Sequence, residues 1–146
     1  MPPSWAYFDT SAMVKRYIAE PGSLRVRALL RRHDFLSSAI MQAELLSALC
    51  RRGRAGDLSE ENFMAVLRRV QNDRSQWELV EVSSAVLGRA EELIQGTAPI
   101  KTLDAIHVAS LITFQSASAT QVPFITANAR QREAATQVGI DVVWVG

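Results

Sequence analysis

Trp5-Ala6-Tyr7-Phe8-Asp9-Thr10-Ser11: four apolar residues run without interruption and stop on a carboxylate. An aromatic run this short reads as a strand buried on both faces, as in the centre of a parallel sheet. Asp9 then stands at the strand's carboxyl end. In an open α/β sheet that end faces the crevice where ligands bind. Asp9, Thr10 or Ser11 equally suits a plain N-cap for the helix that follows, since short oxygen-bearing side chains satisfy a helix's first free amides. The rest of the chain decides between the two.

Outward from this strand, helices and strands alternate. Residues 11–19 read as a short helix stopped by Pro21-Gly22, and 23–32 as a second with Leu24, Leu29 and Leu30 on its apolar side. A short strand at 35–38 leads into an apolar helix at 40–52, ended by Gly53 and Gly56. Ser59 opens the next helix, where Phe63, Val66, Leu67 and Val70 recur at helical spacing. Residues 76–82 form a strand whose alternating charges suit a sheet edge. Ser83 or Ser84 caps a helix to about residue 95, and Thr102 caps another to about residue 116. A strand at 123–126, a helix at 129–138 and a strand at 141–145 close the chain. Five strands separated by helices predict an α/β fold: a three-layer α/β/α sandwich on a mainly parallel five-stranded sheet. Residues 1–146 read as one domain, without repeats or linkers.

Composition narrows the class. A hydrophobic share of 48% with 21% charged residues is globular and excludes disorder. Net charge is +1, so overall electrostatics announce no nucleic acid. Cys50 is the only cysteine, which excludes an internal disulfide and a Cys-based zinc site. No leader pattern and no membrane-length apolar run stand in the sequence, so the expectation is a cytoplasmic protein with no membrane partner.

Three carboxylates occupy awkward positions. Asp9 ends a buried strand. Glu44 lies among Met41, Ala43, Leu45 and Leu46. Asp104 sits in the first turn of the largely apolar Leu103-Asp104-Ala105-Ile106-His107-Val108-Ala109. Each has an ordinary alternative: Asp104 complements the helix dipole, Glu44 points to solvent, and His107 reads as a packed or surface histidine outside any site. Jointly they point elsewhere. A strand's end and the helices that begin beyond strand ends share the carboxyl side of a doubly wound sheet. Clustered carboxylates repel, so they hold protons or bind a cation. Oxygen ligands without Cys or paired His select Mg²⁺ or Mn²⁺.

In this order and spacing the segments Tyr7-Phe8-Asp9-Thr10-Ser11-Ala12 with Val14-Lys15, Ser37-Ser38 leading to Ala43-Glu44-Leu45, residues 103–109, and Phe124-Ile125-Thr126-Ala127-Asn128 resemble the PIN-domain ribonucleases. The likeness is to the VapC-type toxins of bacterial toxin–antitoxin pairs. It covers nearly the whole chain and implies a metal-dependent endoribonuclease that hydrolyses RNA phosphodiester bonds. Asp9, Glu44 and Asp104 match the family's metal-binding acids. Many relatives carry a fourth acid where this chain has Asn128, so one metal is expected to bind well and a second weakly. Ser11 and Thr126 match polar positions beside the acids. Lys101, Arg130 and Arg132 adjoin site residues and are candidates for RNA phosphate contacts. The resemblance further implies Mg²⁺ or Mn²⁺ as cofactor, RNA as substrate, a homodimer, and a cognate antitoxin as partner. That antitoxin is expected to lie across residues 11–19 and 24–30 and to set a basic residue near the acids.

Other readings of the same architecture fare worse. A dehalogenase-like phosphatase wants a second Asp where this chain has Ser11, and a receiver domain wants an Asp where it has Ser83-Ser84. No Gly-rich phosphate loop appears. A PIN-like module that binds a partner with little or no cleavage is the remaining alternative, because fold does not dictate function.

Overall fold

Trp5–Phe8 forms the central strand, β1, of the computed structural model, which describes residues 3–146. The leader expectation falls partly on residues 1–2, outside the described residues. Asp34–Ser38 (β2), Glu78–Val80 (β3), Phe124–Thr126 (β4) and Val142–Trp144 (β5) complete a five-stranded sheet. Every pairing is parallel, and the order is β3-β2-β1-β4-β5. The chain builds outward one way from β1 through β2 and β3, then returns to its other side with β4. The direction reverses between β1 and β4, and in open α/β sheets such a switch point, beyond the carboxyl ends of the strands, is where ligands bind.

Period-two alternation sorts the side chains onto two faces. Ala6, Phe8, Phe35 and Ile125 face one core with Thr10–Tyr17 (α1), Ser23–Arg32 (α2), Met41–Arg54 (α3) and Glu60–Asp73 (α4). Tyr7, Leu36 and Phe124 face the other with Thr102–Ser118 (α6) and Ala129–Gln137 (α7). Ser84–Ile94 (α5) packs on α6 through Val86, Ala90, Ala105 and Ala109. The sheet thus lies between two helical layers. Phe8 stacks on Phe35 at 5.5 Å, and Tyr7 on Phe124 at 5.2 Å. Burying one such ring contributes about 1.5–3 kcal/mol, so β1 is a principal source of stability. Among the described residues no helix is long and apolar enough to cross a membrane.

Several boundaries differ from the sequence reading. The first helix starts at Thr10, with Asp9 as its N-cap through the Ala12 amide. Gly53 does not end α3 but lies inside it, where a Cβ would stand 3.2 Å from the Phe63 ring of α4. The chain turns at Gly56 instead, with φ +84°. The edge strand shrinks to Glu78–Val80 because a 3₁₀ turn, Arg74–Gln76, takes the residues before it. Lys101, not Thr102, is the N-cap of α6, and it supplies no side-chain hydrogen bond. The apolar face of α1 is not free for a partner: Ala12, Met13, Val14 and Tyr17 are all buried in the core. Of the large apolar residues expected to face an antitoxin, only Leu24 is exposed, at 80%, alongside the small Ala19.

Candidate functional site

The register of the two central strands builds the site. Phe8 pairs with Ile125, so Asp9 emerges beside Thr126. Asp9 is completely buried. Its Oδ2 accepts from Thr126 Oγ1 at 2.7 Å, Ser11 Oγ lies 2.8 Å from both carboxylate oxygens, and Oδ1 accepts from the Ala12 amide at 2.9 Å. All these donors are neutral, and among the described residues no cationic side chain pairs with Asp9. Burial pushes its carboxyl above the ordinary range, against the pull of His107 and of the hydrogen bonds from Thr126, Ala12 and Ser11. Capping and site geometry therefore meet in one side chain.

A ladder of hydrogen bonds leads from Asp9 to Asp104. Thr126 Oγ1 accepts from the Asn128 amide at 2.9 Å, and Asn128 Nδ2 reaches Asp104 Oδ1 at 3.4 Å. Asn128 also caps α7, its Oδ1 accepting from the Gln131 amide at 3.0 Å. Gln131 Nε2 donates to Asp104 Oδ1 at 2.9 Å, and Arg130 Nε pairs with Oδ2 at 3.1 Å. Ser11 ties the two loops together by accepting from the Ala127 amide at 2.9 Å.

Glu44 joins from the other side. It lies in the first turn of α3, beyond the end of β2. Its Oε1 accepts from Thr10 Oγ1 and from His107 Nε2, each at 2.7 Å. Thr10 follows Asp9 directly, and His107 lies one turn after Asp104 on α6. Glu44 is thus tied to the Asp9–Asp104 ladder through the chain, at Thr10 beside Asp9 and at His107 one turn from Asp104.

The three basic candidates separate. Arg130 is drawn onto Asp104, with its side chain 45% exposed. Lys101 is exposed at the start of α6. Arg132 lies over the Trp144 ring at 4.1 Å, toward β5.

His107 is packed, one of the two placements the sequence offered for it; its bond to Glu44 was not foreseen. It is completely buried between Tyr7 and Glu44. Its spacing of three from Asp104 was the available signal, since residues three apart share a helix face. Gln131 was also missed. It stands three residues after the capping Asn128, and its Oε1 is buried without a hydrogen-bond partner among the described residues.

The donor chemistry fits a hard divalent cation. Asp9, Asp104 and Glu44 offer only oxygen, Asp9 is paired with no cationic side chain among the described residues, and the orphaned Gln131 oxygen adds an acceptor beside Asp104. As the side chains lie, no three His, Cys, Asp or Glu residues among those described enclose an ion. Glu44 is turned onto Thr10 and His107, and Asp104 onto Arg130 and Gln131. Arg130 is the neighbour with the freedom to withdraw, because its side chain is half in solvent.

Comparison with known proteins adds the family context. The profile of the PIN domain family matches residues 6–137. The chain is 34% identical over 138 residues to Ribonuclease VapC46 of Mycobacterium tuberculosis (strain ATCC 25618 / H37Rv), covering 94% of this chain and 95% of that protein. It is 28% identical over 109 residues to Ribonuclease VapC47 of M. tuberculosis (strain CDC 1551 / Oshkosh), covering 71% and 72%. A chain of a toxin-antitoxin complex from Klebsiella pneumoniae shares the fold, with a TM-score of 0.65 at 18% identity over 97% of this chain and 98% of that one.

Proposed function

This chain belongs to the PIN domain family, and from that premise we propose that it is a metal-dependent endoribonuclease, the toxin of a toxin–antitoxin pair. The observation that carries this reading is Asp9: a wholly buried carboxylate at the β1/β4 switch point, held by neutral donors only and linked to Asp104 through Thr126 and Asn128. A buried carboxylate not paired with a cation is costly, and an ion at this switch point supplies the compensating charge.

Asp9, Asp104 and Glu44 hold Mg²⁺ or Mn²⁺ in this reading. When bound, the ion contributes Lewis-acid stabilisation of the charge that develops on a phosphodiester. Ser11 and Thr126 fix the orientation of Asp9. No side chain serves as nucleophile. Arg130, once displaced from Asp104, and Lys101 at the head of α6 are within the same neighbourhood and hold RNA phosphates. The relatives named as ribonucleases and the toxin–antitoxin neighbour support RNA as substrate and an antitoxin as partner. Exposed apolar side chains open to that partner include Leu46 on α3, Met64 on α4 and Leu103 on α6.

The test is cleavage of a mixed RNA substrate by the purified chain. Cleavage is expected with Mg²⁺ or Mn²⁺ and not in excess chelator. Undiminished cleavage in chelator would refute the metal role.

Asn128→Asp probes the weaker half of the ligand set. The substitution keeps an oxygen for the Gln131 amide, and Asp caps about as well as Asn. It replaces an amide donor by a negative charge 3.4 Å from Asp104 Oδ1. Mn²⁺ affinity should rise on the order of tenfold, because ligand charge count tunes affinity. The metal-free protein should melt lower, because like charges are brought together. Superimposable titration isotherms would reduce Asn128 to a helix cap.

A further inference from the structure

Tyr7, His107 and Glu44 form a chain of hydrogen bonds that runs from the middle of the sheet to the acids. Tyr7 Oη lies 2.8 Å from His107 Nδ1, and His107 Nε2 lies 2.7 Å from Glu44 Oε1. Tyr7 and His107 are both fully buried. The direction of the bonds follows from chemistry. A carboxylate oxygen only accepts, so Nε2 carries a hydrogen and donates to Glu44. In the neutral ring Nδ1 is then an acceptor, and the Tyr7 hydroxyl must donate to it. Thr10 Oγ1 gives the same Oε1 a second hydrogen bond at 2.7 Å. One oxygen of Glu44 is therefore engaged twice, and Oε2 is left as the free one.

We propose that Tyr7 and His107 are positioning residues that hold Glu44 as a single-oxygen ligand: Tyr7 selects the Nε2–H form of the imidazole, and the imidazole pins Oε1. The inference rests on the reading of Glu44 as a metal ligand. Partners that orient a ligating side chain typically matter 10–100-fold for metal affinity. The buried ring also fills space beside Tyr7, at 5.9 Å edge to face, so packing must be separated from positioning.

Mn²⁺ titration calorimetry on the full chain makes the separation. His107→Leu should weaken Mn²⁺ binding by about 10–100-fold. His107→Gln, which restores a side-chain N–H near Nε2, should recover most of that loss. Tyr7→Phe keeps the ring stack and removes only the hydroxyl, and it should weaken binding by about tenfold, the low end of that range. This nearly isosteric variant carries the test if His107→Leu does not fold. Nitrogen NMR of the metal-free protein, at a pH where the spectrum shows a neutral imidazole, should find His107 protonated at Nε2 alone, and in Tyr7→Phe a mixture of the two forms. A proton on Nδ1 in the unaltered protein, or unchanged Mn²⁺ affinity in Tyr7→Phe and His107→Leu, would overturn the proposal while leaving the nuclease reading intact. An unaltered protein that binds no Mn²⁺ would overturn both.

Discussion

Asp9→Asn is expected to abolish RNA cleavage and at the same time to stabilise the metal-free protein. In the proposed metal site, removing the most buried of the three carboxylates takes away charge that a bound ion would need. A deficit of about 3–5 kcal/mol in transition-state stabilisation corresponds to a ~10²–10⁴-fold lower rate. The fold should survive, because an amide oxygen still accepts from the Ala12 amide and caps α1. Thr126 and Ser11 are hydroxyls that both donate and accept, so they turn to meet an amide nitrogen. Stability should rise because burial disfavours the ionised form of Asp9. The sign follows from linkage. A carboxyl whose pKa is raised in the folded state favours folding below its unfolded pKa, and that contribution is lost as pH rises through the folded value. The melting temperature of the variant should therefore exceed that of the unaltered protein at neutral pH by a few degrees, and the two should converge in acid. Asp104→Asn should also abolish cleavage with a smaller stability gain, since Arg130 already balances that charge. An Asp9→Asn protein that cleaves RNA at the original rate would remove Asp9 from the site. One that melts lower at neutral pH would show that its ionised form is well compensated.

Gly22→Ala is expected to be the most destabilising single-methyl change in the α1–α2 corner. Gly22 has φ +91°, in the left-handed region that suits glycine. A Cβ built there would stand 2.0 Å from the Val145 carbonyl oxygen and 3.3 Å from Lys15 Cδ. Neither neighbour gives way easily. Val145 donates its amide to the Thr126 carbonyl at 3.0 Å, which ties the end of the chain to β4. Lys15 is buried, with its ammonium on the Pro21 carbonyl at 2.5 Å and on Glu20 at 3.2 Å. Backbone strain and overpacking together should cost about 3–5 kcal/mol, roughly a 10 °C or larger fall in melting temperature for a domain of this size. Urea unfolding monitored by tryptophan fluorescence would measure it. A loss below about 1 kcal/mol would show that the corner moves as a unit to admit the methyl group.

Much of this protein was readable in order along its chain. The uninterrupted Trp5–Phe8 run marks a strand covered on both faces, because apolar side chains on alternating sides need two cores. Strands separated by helices dictate a parallel sheet, since a parallel connection has to cross back over a face. Acids that interrupt apolar segments at 9, 44 and 104 stand out because an unpaired carboxylate beside a core is disfavoured. Their identity as candidates needed no coordinates.

Tertiary structure decided what depends on pairing between distant segments. The register of Phe8 with Ile125 sets Thr126 on Asp9, across 117 residues of chain. The crossing of α6 over the sheet puts His107 between Tyr7 and Glu44, a contact that spans 100 residues on one side and 63 on the other. The first turn of α7 aims Arg130 and Gln131 at Asp104, while the next arginine, Arg132, turns away onto Trp144. Local sequence carries periodicity, caps and breakers because those act within a turn or two. It does not carry which donor satisfies a buried carboxylate, because that donor is chosen by how the layers stack.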